Sequence, residues 1–200
     1  MWTRFIKALA LLACLGLAAC ASGPKQPGEE ESKVKVDAQQ QAEFNQAIQA
    51  IQNGQNEDAI RLLSDLTQKN PSLAGPFTNL GLVYIKQGKY DKAKQALLQA
   101  TTIKPTDAVA YNHLGVAYRE LGEFKQAQQA YEQALKLKPD YADAHLNIGI
   151  LYDVYLNDLN QALAHYQQYQ SLNAKPDDKV AKWIIDLQRR ASKNQAKATP

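Results

Sequence analysis

The chain has 200 residues, 45% of them hydrophobic, with 23 Lys and Arg against 20 Asp and Glu for a formal charge of +3. That length and apolar share suffice for one packed core and exclude a chain disordered throughout, while the scatter of the basic residues excludes the electrostatic footprint of nucleic-acid binding. Both cysteines, Cys14 and Cys20, fall near the N-terminus, so the body has no disulfide, no thiolate metal site and no Cys nucleophile, and its core must hold without staples.

The first element is an address. Arg4 and Lys7 precede an uncharged apolar run from Ala8 to Ala19, with no acidic residue before Cys20. This run of 12 residues is short of the ~20 that a spanning helix needs, so residues 1–19 read as a signal peptide. Without Arg4 and Lys7 the chain carries 21 basic and 20 acidic side chains and is nearly neutral. The run ends in Leu17-Ala18-Ala19-Cys20, which resembles the lipobox of bacterial lipoproteins. The resemblance implies that Cys20 is diacylated on sulfur and becomes the first residue after cleavage; simple small-residue cleavage would leave it a bystander. Several acyl chains hold a protein on a bilayer far more firmly than one. Ala21 stands where, in those lipoproteins, Asp marks retention in the inner membrane. The resemblance therefore implies the periplasmic face of the outer membrane.

Residues 20–37 follow as a tether, rich in Gly, Pro and Glu, with Val34 and Val36 among its few apolar residues. Such a segment cannot bury enough surface to fold. Treated as a flexible coil, it spans roughly 23 Å root-mean-square.

Beyond the tether, over residues 38–175, the chain repeats itself every 34 residues: Gly54, Gly88 and Gly122; Ala59, Ala93 and Ala127; Pro71, Pro105 and Pro139; Gly81, Gly115 and Gly149; Tyr84, Tyr118 and Tyr152. Phe77-x2-Leu80-Gly81-x2-Tyr84 with Ala93 and Leu97, then Tyr111-x2-Leu114-Gly115-x2-Tyr118 with Ala127 and Tyr131, resemble the tetratricopeptide repeat. The resemblance implies an all-α fold, a solenoid of helix-turn-helix units over about 40–73, 74–107, 108–141 and 142–175. In each unit the small residues mark a close helix crossing, Gly88 and Gly122 end the first helix, and the proline stops the second. The first unit keeps Gly54, Ala59, Leu63 and Pro71 but has Glu43, Phe44, Gln46 and Ala47 at its signature. In the fourth, Ala162 falls 35 residues after Ala127, which places one inserted residue in the turn Leu156–Asn160.

A last helix is expected over 176–191, capped by Asp177, with Val180, Trp183, Ile184 and Leu187 at i, i+3, i+4 and i+7. That stripe suits the exposed face of the last repeat, so the helix reads as the C-terminal cap a solenoid requires. Residues 192–200 are expected to be disordered.

Catalytic signals are sparse. His145 and His165 could face each other across one helix pair, but their spacing is not a ligand motif, and His145 takes the large position held by Phe77 and Tyr111. A packed imidazole is the plainer reading, with no enzyme, metal or other cofactor expected. Most of the ten tyrosines fall on repeat positions; Tyr155 and Tyr169 do not.

In the tetratricopeptide architecture the first helix of each unit lines the concave face. Its groove positions, carried over from Ala74, Ala108 and Ala142 as position one, are Thr78, Leu82, Ile85 and Lys86; Asn112, Val116, Arg119 and Glu120; Leu146, Ile150, Asp153 and Val154. Leu82, Val116 and Ile150 form an apolar row flanked by mixed charge, which suits an amphipathic helix or an apolar-anchored peptide. Burial of that row by neighbouring elements is the competing reading. The layout of lipobox, tether and repeats resembles the pilotin lipoproteins of type IV and Tad pili, and also repeat lipoproteins that serve as adaptors for periplasmic proteases and cell-wall hydrolases. The resemblance implies a protein or peptide partner in the cell envelope and a membrane attachment through lipid.

Overall fold

The computed structural model describes residues 37–198, with side chains to Asn194. The expected signal peptide, Cys20 and the expected tether up to residue 36 lie outside the described residues. Within them the chain is helical: α1 Ala38–Gln52, α2 Asn56–Lys69, α3 Ala74–Lys86, α4 Tyr90–Ile103, α5 Ala108–Glu120, α6 Phe124–Leu137, α7 Ala142–Ile150, a π-helical turn Leu151–Leu156, α8 Leu159–Leu172 and α9 Asp178–Ala198. None of these helices is long and apolar enough to cross a membrane.

The repeated residues set the helix boundaries. Gly54, Gly88 and Gly122 adopt φ of 73°, 70° and 77°, the left-handed conformation that closes a helix and that glycine enters without strain. One residue further on, Gln55, Lys89 and Glu123 donate their amides back to the carbonyls of Ala50, Tyr84 and Tyr118 at 2.8–2.9 Å, so each turn is stitched to the same register position. The second helices end at Asn70, Lys104 and Lys138, which leave the helical region at φ between −142° and −129° and ψ between 84° and 89°. Each precedes a proline, whose ring excludes the helical conformation from the residue before it. Asp37, Asp107 and Asp158 cap α1, α5 and α8 by accepting amides of the first turn.

Helices pack in sequential pairs, and α1–α3, α3–α5 and α5–α7 also touch. No comparable contact joins the second helices of adjacent units among the described residues. The first helices therefore make one wall and the second helices stand outside it. Within each pair the crossing is close: a Cβ on Gly81 would lie 2.3 Å from Leu97 Cγ, and one on Gly115 2.5 Å from Tyr131 Cε1. Leu63, Leu97, Tyr131 and Tyr166 fill these crossings with almost no exposure, at about 1.5–3 kcal/mol of burial for each aliphatic side chain.

α1 completes the first unit despite its irregular signature, because Ala47 is fully buried at the crossing and Phe44 packs beneath Gly75. α9 closes the other end through buried Val180 and Leu187 and through Trp183, whose ring lies 5.4 Å from that of Tyr166. α9 runs to Ala198, past the end at residue 191 that the sequence leads one to expect, and its last residues are rich in Ala, Lys and Gln, which favour helix without tertiary help.

Candidate functional site

Leu82, Val116 and Ile150 occupy one register on consecutive inner helices and are each half-buried. Leu82 packs on the core of the first two units, and Val116 and Ile150 pack on that of the last two, alongside Leu146. Ile85 is also half-buried, whereas Lys86 and Glu120 stand exposed. Thr78 and Asn112 are buried joints between units. Thr78 donates its hydroxyl to Asp107, the cap of α5, at 3.0 Å, and Asn112 accepts the Asn147 amide at 3.0 Å. The wall is thus apolar at mid-register and polar where adjacent units lock. A separate cleft of about 580 Å³ lies on α3 and α4, lined by Phe77, Leu80, Tyr84, Lys92 and neighbouring residues.

The charges flanking the row are largely consumed within the chain. Arg119 pairs with Glu120 at 2.9 Å, and Asp153 takes Arg190 of α9 at 2.7 Å. Asp153 also accepts the Tyr166 hydroxyl at 3.5 Å. Arg190 lies 37 residues from Asp153 on an element outside the repeats, so repeat periodicity carries no signal for this pair.

The inserted residue of the fourth unit does not sit in the turn, as the sequence suggests. It is absorbed within the first helix as the π-turn Leu151–Leu156. Asn157 closes that helix at φ 53° in place of glycine, and Asp158 returns its amide to Tyr152 from six residues away, where the other units span five. The extra residue preserves the crossing at Gly149 and turns Val154, Tyr155 and Leu156 outward; Val154 is 65% exposed. A helix must widen here because Tyr152 and Asn157 are both held in place, and a π-turn is the usual way to lodge one residue. Tyr155 covers Phe124 with ring centroids 4.8 Å apart, while Tyr169 donates its hydroxyl to Asp177 at 3.2 Å. The two tyrosines without repeat positions thus have packing roles.

Comparison with known proteins fits this geometry. The family model described as TPR repeat matches residues 81–122 and 115–153. The fold is a tetratricopeptide-repeat solenoid. Among solved structures, MamA protein is 25% identical, with 66% of this chain and 72% of that one covered and a TM-score of 0.59. A thermophilic TPR protein of Thermus thermophilus is 21% identical over 74% of this chain and 80% of its own, with a TM-score of 0.63. MamA 41-end from Desulfovibrio magneticus RS-1 is 18% identical over 82% and 92%, with a TM-score of 0.69. No curated protein matches the chain. Such a tetratricopeptide solenoid supports a protein–protein interaction scaffold.

The solenoid also brings together the two histidines of its fourth unit. His145 Nδ1 and His165 Nδ1 are 3.0 Å apart, and His145 Nε2 lies 2.9 Å from the carbonyl of Pro139. A carbonyl only accepts, so Nε2 of His145 carries a proton, its neutral Nδ1 offers a lone pair, and His165 donates to it. The ring centroids are 5.2 Å apart, close to the most that this N···N contact permits. The nitrogens therefore meet head-on as a hydrogen bond, and their lone pairs do not converge on a third point as chelation of one metal ion requires. Tyr152 stacks on His165 at 5.7 Å and 8°. Burial, and then the neighbouring His145, push the His165 pKa down to about 4. Burial also lowers that of His113 and raises that of Tyr131. No group of three or more His, Cys, Asp or Glu among the described residues is placed to hold a metal.

Proposed function

We propose that this chain is a lipid-anchored scaffold of the bacterial cell envelope, held through Cys20 at the periplasmic face of the outer membrane. It binds a protein partner along its inner helices and assists assembly of a secretion or pilus complex. The observation that carries the binding role is the apolar row Leu82, Val116 and Ile150, set at one register on three touching helices, with Arg119, Glu120 and Asp153 beside it already paired and Lys86 exposed. Such a row gains by covering itself with an apolar segment, and the paired charges leave little attraction for a strongly charged one. The role is binding, without chemistry. The lipobox and tether support the anchor, and together with the repeats they favour assembly work close to a membrane.

The test is capture from detergent-solubilised envelopes. Val116→Glu places a charge mid-row that an apolar ligand must desolvate, at several kcal/mol if it stays unpaired. The variant should keep its helical circular dichroism and lose its partner, while Gln126→Glu on the exposed face of α6 keeps both. Recovery of a secretin supports the assembly role, and recovery of a protease or cell-wall hydrolase replaces it with the adaptor role. Unchanged capture by folded Val116→Glu moves the binding surface elsewhere.

A further inference from the structure

We infer that the His145–His165 pair is an acid-operated latch that holds α8 against α7 and releases the C-terminal end of the solenoid first when the surroundings acidify. The inference is independent of which partner binds.

In the neutral pair, one N–H lies between the two Nδ1 atoms and a second is committed to Pro139. A first added proton can go to Nε2 of His165 without breaking either bond, because that nitrogen is the pair's remaining lone pair. A second has only the Nδ1 that lacks the shared hydrogen, and with the first charge resting on His145 that is Nδ1 of His165. Protonation there sets N–H against N–H at 3.0 Å between two like charges, and the bond between the helices is lost. The latch therefore holds through one protonation and fails at the next.

Its surroundings supply little compensation. The groups facing His165 are His145 from α7, Tyr152 from the π-turn and Glu132 from α6. Glu132 favours the charged imidazole, but burial and His145 both oppose it and rank ahead. The Glu132 carboxylate also receives the Gln128 amide at 2.8 Å, and the same amide reaches the Tyr152 hydroxyl at 3.2 Å. This chain ties the latch to α6 of the preceding unit. Parting of the two imidazoles loosens the α7–α8 crossing, on which α9 and the Asp153–Arg190 pair depend.

The test uses hydrogen exchange in the full chain at pH 7 and 4.5, corrected for intrinsic rates. Opening of α7, the π-turn and α8 should rise by up to about tenfold for each pH unit below the unfolded-state histidine value of about 6.5, while α3 to α6 change less. His165→Gln should abolish that extra response; His113 is present in both proteins, so its own titration cancels. An equal pH response in the variant, or loss of protection spread evenly over all units, overturns the latch. Should the variant fail to fold, imidazole titration of the wild type by NMR decides: two separated steps, one well below the ordinary range, support it, and two histidines titrating together near the ordinary value overturn it.

Discussion

Gly115→Ala adds one methyl group where α5 crosses α6, and the structure gives the cost. The new carbon would sit 2.5, 2.6 and 2.9 Å from Cε1, Cδ1 and Cγ of Tyr131. These are atoms of a rigid ring with no exposure, so relief requires the ring or the helix to move. Overpacking of this kind costs about 1–3 kcal/mol, and contact along one whole ring edge belongs in the upper half of that range. Against it, alanine gains up to about 1 kcal/mol over glycine in a helix interior. The net expectation is a loss of about 1–2 kcal/mol, a fall of roughly 2–8 °C in melting temperature for a domain of this size. The first unit shows how the strain can be relieved, since its crossing pairs fully buried Ala47 with Leu63. Transplanting that pair as Gly115→Ala with Tyr131→Leu should recover part of the loss, giving a favourable coupling in a double-mutant cycle. Urea titration followed by circular dichroism measures all three variants. A Gly115→Ala protein as stable as the parent would refute the close crossing.

Other perturbations test other features. The hydroxyl of Tyr131 is buried without a partner among the described residues, so Tyr131→Phe should be neutral or stabilising by up to ~1 kcal/mol; a loss beyond 1 kcal/mol in the same titration would reveal a bond to that oxygen. Deleting Val154 restores the 34-residue step and lets the π-turn close as α-helix, so a melting temperature within a few degrees of the parent is expected, whereas deleting fully buried Leu151 should unfold the unit. The His165 pKa is depressed on folding, so the unfolded chain takes the proton first; stability is complete above about pH 6.5 and declines toward the folded value of about 4. After allowance for partial exposure the loss is on the order of 1–2 kcal/mol, read as a lower denaturation midpoint at pH 4.5 than at pH 7, by an amount that His165→Gln reduces. Arg190→Met leaves the mostly buried Asp153 carboxylate without its cation and should raise hydrogen exchange in α9 several-fold while sparing α3 to α6.

Periodicity made the repeats legible because each recurring residue answers a recurring constraint: glycine at a positive φ, a small residue at a crossing, an aromatic between units. Proline stops were legible for the same reason. The inserted residue was visible as a count, yet not as a place, since a turn and a π-helix absorb one residue equally well in sequence. Only the fixed positions of Tyr152 and Asn157 locate it within the helix. His145 and His165, or Asp153 and Arg190, lie on different elements with no shared period, so their meeting is a tertiary fact. Thr78 and Asn112 show the converse: repeat position marks them as groove residues, and their actual hydrogen bonds make them joints between units.

Binding along the inner helices is tested most directly by site-specific photo-crosslinking in intact envelopes, with a photoreactive side chain at Val116 on the inner wall or at Gln126 on the outer face of α6. The account predicts a discrete adduct with a second protein from position 116 and none from 126. Adducts from 126 alone, or from both positions equally, would contradict it.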